Sequence, residues 1–140
     1  MSRKQRMTAR CRARHRALRR QILSGVKMIR GAEARAILGQ SDACPSWSSL
    51  PKEGRLLRFR VAGTWRYPVF QFDSANRRVD PRFVEILVAA RAAEWSDFRL
   101  LNWMMRPHLD FDGVPADGLQ DPGTDVLAAF LRQIEPERHG

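Results

Sequence analysis

The residue types that most often perform catalysis are few and widely scattered in this chain of 140 residues. Its histidines are His15, His108 and His139. None of them has a carboxylate or a nucleophile at a motif spacing, and the sequence holds neither a paired-histidine metal motif nor a phosphate-binding glycine loop. Asp110 and Asp112 could form a metal pair, but two carboxylates specify so little that a solvated loop is the favoured interpretation. We therefore expect no catalytic residue, no metal and no cofactor, and interpret the chain as a non-enzyme.

Positive charge, by contrast, is concentrated at one end of the chain. Residues 1–35 contain twelve Lys or Arg and one acid, a net charge of +11, whereas the remaining residues together carry −1. Such an asymmetry indicates a polyanionic partner. We assign nucleic-acid contacts to six arginines of this segment: Arg10, Arg12, Arg14, Arg16, Arg19 and Arg20.

The segment supplies affinity rather than sequence recognition, because nothing in it reads bases. It has no aromatic side chain to stack on bases, which favours a duplex over a single strand. Arginine-rich arms also fold on RNA, so RNA stays open as a partner. The plainer alternatives are a targeting tract and a solubilising tail.

Residues 1–30 are the basic arm and helix that carry these arginines. The part up to Arg16 consists almost wholly of Arg, Lys, Ala and small polar residues, and we expect it to be mobile when alone. From Ala17 onwards, apolar residues recur at intervals that predict one face of a helix. These residues are Leu18, Ile22, Val26 and Ile29.

Residues 31–72 predict a helix–turn–helix followed by a β-hairpin. Residues 32–38 are strong helix formers and Gly39 suits the end of that helix. Ser46 is an N-cap candidate for a second short helix, Trp47–Lys52.

Between residues 56 and 72, apolar residues alternate with Arg58 and Arg60, and Ala62-Gly63-Thr64 supplies the turn. The return strand extends from Trp65 to Phe72, where Pro68 predicts an edge position or a bulge. We expect the apolar side of the hairpin to pack inward and the arginines to be solvated on the other face.

A winged DNA-binding module needs such a short helix in the major groove and a hairpin whose basic residues reach phosphates. The residues assigned to DNA contact here are Ser46, Trp47, Ser48, Lys52, Arg55, Arg58, Arg60 and Arg66. Few of them are bidentate base readers, which argues against strong sequence specificity. The alternative is a sheet that only covers the core and has an ordinary solvated arginine face.

Residues 73–140 predict a helical domain, so the fold class is mainly α with one hairpin. Asp80 and Pro81 open a helix, Ser96 caps a helix that stops before Pro107, and Asp121-Pro122 opens the last helix. The first of these helices carries an apolar stripe of Phe83, Ile86, Leu87 and Ala90. The last helix ends at Pro136, and its inward residues are Val126, Leu127, Phe130, Leu131 and Ile134.

The C-terminal third has the opposite charge to the arm. Residues 107–140 hold seven acids and two arginines, a net charge of −5, so DNA would repel them. An exposed acidic loop that carries Phe111 fits a basic pocket on a protein partner. The alternative is a plain solvated loop.

The stretch from Tyr67 to Ile134 resembles antitoxins that carry the Xre/MbcA/ParS toxin-binding domain. The resemblance covers about half of the chain. It rests on Tyr67-Pro68-Val69-Phe70-Gln71-Phe72, Val79-Asp80-Pro81, Trp95, Trp103-Met104-Met105-Arg106-Pro107-His108, Pro115-Ala116-Asp117-Gly118-Leu119 and Val126-Leu127. The sequence departs from the family pattern at His108, where Asn is frequent, and in the loop 109–113, which is Gly-rich in many members.

The resemblance implies a type II antitoxin that neutralises a cognate toxin and represses its own operon by binding the promoter. Partner toxins of this family are typically RES-domain enzymes that consume NAD. Trp103, Pro107, Pro115 and Leu119 would then shape the domain. Toxin contacts are assigned to Arg106, Asp110, Phe111, Asp112 and Asp117, with the last helix nearby.

Two rival functions stay open: a DNA-binding regulator that uses the helical domain for another partner or for dimerisation, and an RNA-binding accessory protein. Cys11 and Cys44 suggest neither a disulfide framework nor a zinc site. The chain has no apolar run that could span a membrane and no apolar stretch of a secretion signal. We expect a cytoplasmic protein and a homodimer.

Overall fold

A computed structural model describes residues 3–39, 49–109, 111 and 113–138, with side chains from residue 9 to residue 135. Within these residues the chain forms six α-helices and two small antiparallel sheets, so the fold is mainly α. Helix α1 spans Arg3–Ser24, and so begins well before Ala17, where the sequence predicted its start. It ends before Gly25, and Ile29 lies in a strand instead of on the helix face to which we assigned it.

The first sheet has three short strands in the order β1-β3-β2, all antiparallel. Strand β1 is Met28–Arg30, β2 is Phe59–Val61 and β3 is Thr64–Pro68. Helix α2, Gly31–Ile37, lies where the sequence predicted the first helix of the helix–turn–helix. Of the predicted second helix, Trp47–Lys52, the structure describes only residues 49–52, and they are not α-helical. Because β3 is the central strand, the edge position expected for Pro68 is wrong; the proline is the last residue of β3 and pairs with Met28.

The hairpin between β2 and β3 has a two-residue turn, Ala62-Gly63, where the sequence predicted three residues. Both turn residues have positive φ, +50° and +77°, as a type I′ turn requires. The shorter turn pairs Phe59 with Arg66 and Arg60 with Trp65. A register change of one residue moves every side chain to the other face. The two strands therefore place their apolar residues on opposite faces, and the single apolar side that we expected is wrong.

Both faces of this sheet are covered. Leu57 and Phe59 belong to the main core, which the helices of the C-terminal half build. Ile29 and Tyr67 belong to a second core cluster together with Ala34 of α2. The sheet thus separates a small α2 layer from the larger helical part.

A second hairpin that the sequence did not predict follows the first sheet. A 3₁₀ turn at Val69–Gln71 interrupts the expected return strand. Strands β4, Phe72–Asp73, and β5, Arg78–Val79, then pair antiparallel. Gln71 holds this region together, because its buried amide accepts from the Leu57 N–H and donates to the carbonyls of Leu57 and Pro68.

Four helices complete the C-terminal half. Helix α3 is Pro81–Ala92 and α4 is Asp97–Met105; Asp80 and Ser96 cap them as predicted, by accepting from backbone N–H groups. Helix α5 is Pro115–Gly118 and α6 is Val126–Arg138. The predicted stripe of α3 is confirmed, since all four of its residues are buried: Phe83, Ile86, Leu87 and Ala90.

Helix α6 differs from its prediction at three points. It begins at Val126, after a turn in which Asp121 accepts from the Gly123 N–H and the Thr124 hydroxyl. Its backbone continues past Pro136 to Arg138. Leu131, which we expected to face inward, is 42% exposed.

Candidate functional site

Helix α1 presents its arginines to solvent. Every residue from 9 to 21 is exposed, including all six arginines that the sequence singled out. At the end of α1 and just after it, the apolar side chains of Ile22, Leu23 and Val26 pack against the main core. The basic part of α1 therefore projects beyond the packed part of the molecule.

One arginine shows which side of α1 faces the body. The guanidinium of Arg19 lies 4.5 Å from the ring centroid of Phe98 on α4. Phe98 in turn packs on Phe59 of β2, with ring centroids 4.7 Å apart. With 3.6 residues per turn, Arg12 and Arg16 continue the Arg19 side of the helix, while Arg10 and Arg14 lie on the opposite side.

A second basic cluster forms around Trp65 on the hairpin. The guanidinium carbon of Arg58 lies 3.8 Å from the Trp65 ring centroid, and that of Arg60 lies 5.1 Å from it. Lys52 joins Arg58 and Trp65 in the lining of a small cavity of about 230 Å³. Arg91 and Asp97 also line this cavity, and the Arg91 Nη2 lies 3.6 Å from the Asp97 Oδ2. We call Lys52, Arg58, Arg60 and Trp65 the hairpin cluster.

The other predicted DNA residues are not gathered there. Arg55 lines a different, larger cavity of about 710 Å³ with Arg77 and Arg78. Arg66 is half-buried, and its Nη1 is shielded from solvent without an acceptor among the described residues. The solvated position expected for Arg66 is therefore wrong, because the register places it on the face of Phe59. The remaining three, Ser46, Trp47 and Ser48, lie outside the described residues.

The residues assigned to the toxin are brought together only in part. Arg106 follows the last residue of α4 and Asp117 lies in α5, and both are exposed. Phe111 is half-buried instead of exposed, because its ring meets the edge of Trp103 at a centroid distance of 6.3 Å. Asp110 and Asp112 lie outside the described residues.

A pocket of about 230 Å³ between α4 and α6 is the feature that the sequence interpretation missed. It is lined by Trp95, Arg99, Asn102, Trp103, Arg106, His108 and Gln133. Arg99, Asn102 and Trp103 lie at i, i+3 and i+4 and so share a face of α4, and Arg106 directly follows the last residue of that helix. That spacing was visible in the sequence, but the contribution of α6 was not. We call this cavity the α4–α6 pocket.

The α4–α6 pocket has a rigid aromatic wall. Trp103 is 7% exposed and packs against Phe130 at a centroid distance of 5.1 Å. His108 lies 4.9 Å from the Trp103 ring, and its Nε2 is 3.1 Å from the Trp103 carbonyl oxygen. Since the carbonyl accepts, this Nε2 carries the hydrogen. The Arg99 guanidinium stacks 3.9 Å above the Trp95 ring.

Two aspartates away from these clusters have a perturbed acidity. Hydrogen bonds from the Thr124 hydroxyl and the Gly123 N–H lower the pKa of Asp121. The side-chain amide of Asn76, together with the Arg78 guanidinium, lowers the pKa of Asp73. Both carboxylates fasten turns, so we interpret their shifts as structural.

The described part of the chain contains no group of three or more His, Cys, Asp or Glu that could hold a metal ion. None of its helices is long and apolar enough to cross a membrane. Comparisons with protein-family models, with curated proteins and with solved structures found no match to this chain.

Proposed function

We propose that the chain is a type II antitoxin with two separate binding regions. One region, α1 and the hairpin cluster, binds duplex DNA at its own promoter. The other, the helical part from residue 73, binds and neutralises a RES-type toxin that consumes NAD. The observation that carries the DNA half is the hairpin cluster, in which two arginines stack on Trp65 beside Lys52.

The stacking of Arg58 and Arg60 on Trp65 suits phosphate binding. A guanidinium that stacks on an aromatic ring keeps the N–H groups at its edge available, and that planar edge matches phosphate oxygens. The ring also restricts the motion of both side chains, which reduces the entropy lost on binding. The strand order β1-β3-β2, with α2 between β1 and the hairpin, is compatible with a winged module.

Helix α1 would add affinity that depends strongly on salt. Each phosphate neutralised by an arginine releases counterions, so several contacts give a steep decrease of affinity as salt rises. The exposure of residues 9–21 leaves these arginines accessible to a duplex.

The toxin half is supported by charge and by the residue pattern of the C-terminal part. A site that binds NAD must hold a negatively charged pyrophosphate, so basic groups are expected in it. The net charge of −5 on residues 107–140 is complementary to such a site. Exposed Asp117 in α5 and Arg106 at the end of α4 provide polar contacts on that side.

Co-expression with a RES-type toxin tests the toxin half. We expect the full chain to restore growth and to co-purify with the toxin. A chain that does neither would refute this half of the proposal. The gene that neighbours this reading frame is the first toxin to try.

Fluorescence anisotropy tests the DNA half, with a labelled duplex from the upstream region, a scrambled duplex and a structured RNA, each at two salt concentrations. We expect the duplex of the upstream region to bind most tightly. Deletion of residues 2–20 should lower the affinity and flatten its salt dependence while toxin neutralisation is kept. Loss of neutralisation on this deletion would contradict the division into two regions.

A DNA-binding regulator that dimerises through its helical part is the second candidate. Two large apolar side chains are exposed on α3 and α6, which pack on each other: Val88 at 53% and Leu131 at 42%. Sedimentation of Val88→Ser and Leu131→Ser proteins separates the candidates. The regulator predicts that both variants become monomers and that no toxin is neutralised.

A further inference from the structure

A cavity of about 710 Å³ lies between the end of α2, residues 49–55, strand β5 and the start of α3. We propose that it binds a small molecule that has an apolar body and a single anionic group, a carboxylate or a sulfonate. This inference goes beyond the proposed function, because it needs neither DNA nor a toxin. We call this space the α2–α3 cavity.

Part of the lining suits the apolar body of such a ligand. Apolar side chains from three parts of the chain line the cavity: Leu38 directly after α2 is buried, while Val79 of β5 and Val84 of α3 are half-buried. Half-buried apolar side chains lose their remaining contact with water when an apolar ligand covers them, which favours binding. The volume is within the range of roughly 300–1,000 Å³ that is typical of small-ligand sites.

Two arginines provide the charge that would meet the anionic group. Arg55 and Arg77 line the α2–α3 cavity, and both are exposed. Neither guanidinium forms an ion pair with a residue that the structure describes. Each can therefore present two parallel N–H groups to a carboxylate or a sulfonate.

Arg77 is held in position before any ligand binds. Its backbone has a φ of +52°, which is uncommon for a residue other than glycine. Its side chain lies against the backbone of Gly39, since a Cβ at Gly39 would be 3.3 Å from the Arg77 Cδ. Backbone conformations of this kind persist where the surrounding structure fixes them, and they are frequent in segments that bind ligands. Because the stem of Arg77 is already packed, less entropy is lost when its guanidinium binds an anion.

The charge balance of the lining favours one anionic group over a polyanion. Glu53 and Glu85 line the same cavity and would repel a phosphate backbone. Arg78, the third arginine of the lining, already binds Asp73, with its Nε 3.2 Å from the Asp73 Oδ2. A small ligand carries its charge at one end and can keep that end at the other two arginines, whereas a duplex carries charge along its whole length.

Binding of anilinonaphthalene sulfonate to the full chain tests this chemistry. The dye combines an apolar ring system with one sulfonate, and its fluorescence reports binding to apolar surface. We expect one saturable site from which octanoate displaces the dye. Octanol lacks the charge and acetate lacks the apolar body, so neither should displace the dye at the concentration at which octanoate does. Equal displacement by octanol or acetate, no displacement by octanoate, or displacement by duplex DNA would overturn the proposal.

A matched pair of arginine variants locates the sulfonate. Arg55→Gln/Arg77→Gln should raise the Kd of the dye about tenfold. Arg10→Gln/Arg14→Gln, which has the same charge change on α1, should leave the Kd within about twofold. Equal effects of the two variants would overturn the proposal. So would an Arg55→Gln/Arg77→Gln protein that has a lower urea midpoint but an unchanged Kd, because the two arginines would then be structural.

A matched pair of valine variants locates the apolar body. Val84→Ser should raise the Kd of the dye about fivefold, because the valine covers part of the ligand. Val88→Ser, one turn further along α3, removes a side chain that is 53% exposed and does not line the cavity, so the Kd should not change. Equal effects of these two variants would place the dye elsewhere and refute the site.

Discussion

The two sides of α1 make a sharp test of how the chain binds DNA. Arg10 and Arg14 are four residues apart, as are Arg12 and Arg16, and the two pairs lie about 200° apart around the helix. All four side chains are exposed. A duplex that lies against the side of α1, without taking the helix into its major groove, can touch only one of these sides. We compare Arg12→Gln/Arg16→Gln with Arg10→Gln/Arg14→Gln, which are matched in charge and in spacing.

We expect the Arg12→Gln/Arg16→Gln protein to lose more affinity for duplex DNA than the Arg10→Gln/Arg14→Gln protein. These residues continue the side of Arg19, which faces the body of the protein at Phe98. A duplex that touches both α1 and the body of the protein must lie against the side of α1 that faces the body. Loss of two phosphate contacts should reduce the magnitude of the slope of log K against log salt concentration by about 1.8. If wild type and variant bind equally at about 1 M salt, the variant binds about 30-fold more weakly at 0.15 M salt and about 200-fold more weakly at 0.05 M.

The assay is fluorescence anisotropy of one labelled duplex over a range of salt concentrations. The Arg10/Arg14 variant should keep the slope of the wild type, apart from a small loss of general attraction. Equal losses in both variants would show that α1 presents no defined side to the duplex. An effect confined to Arg10/Arg14 would show that the duplex lies on the outer side, and would refute the angle between α1 and the body as the binding site.

The remaining predictions concern stability and the hairpin. Gln71→Leu removes three hydrogen bonds and leaves buried backbone groups of Leu57 unpaired, so urea unfolding should show a loss of about 3–5 kcal/mol; exposed Gln120→Leu is the control. The folded-state pKa of Asp121 is lowered, first by the Thr124 hydroxyl, so its stabilisation is complete above the unfolded-state pKa and is lost as the pH falls through the folded-state value. The urea midpoint of wild type should therefore fall more than that of Asp121→Asn as the pH falls below about 4. Arg58→Gln should weaken duplex binding about tenfold; because its stacking on Trp65 is also lost, the free energy of unfolding should fall, but by no more than about 1 kcal/mol.

Local signals in the sequence were sufficient for most of the helical half. Asp80 with Pro81, and Ser96 before an apolar run, define helix starts through contacts within one turn. Such contacts need no information from distant residues, and both caps form as predicted. The stripe of α3 is also local, because its period alone determines which residues share a face.

The hairpin and the α4–α6 pocket could not be predicted in the same way. The sequence located the hairpin, but a turn of two residues instead of three moved Trp65 and Arg66 to faces opposite to those expected. The pocket joins residues of α4 to Gln133 of α6, and no spacing in the sequence states that these helices flank one cavity.

The sequence by itself determined where the charge lies and where helices α3 and α4 begin. Charge depends only on residue types, and helix starts depend on neighbours within a turn. The tertiary structure alone decided that Arg58 and Arg60 share Trp65, that Arg66 is half-buried, and that Trp103 has a buried N–H without an acceptor among the described residues. These facts depend on strand register and on the packing of helices distant in the chain. A shift of one residue, or one helix in another place, would change them without changing any local pattern.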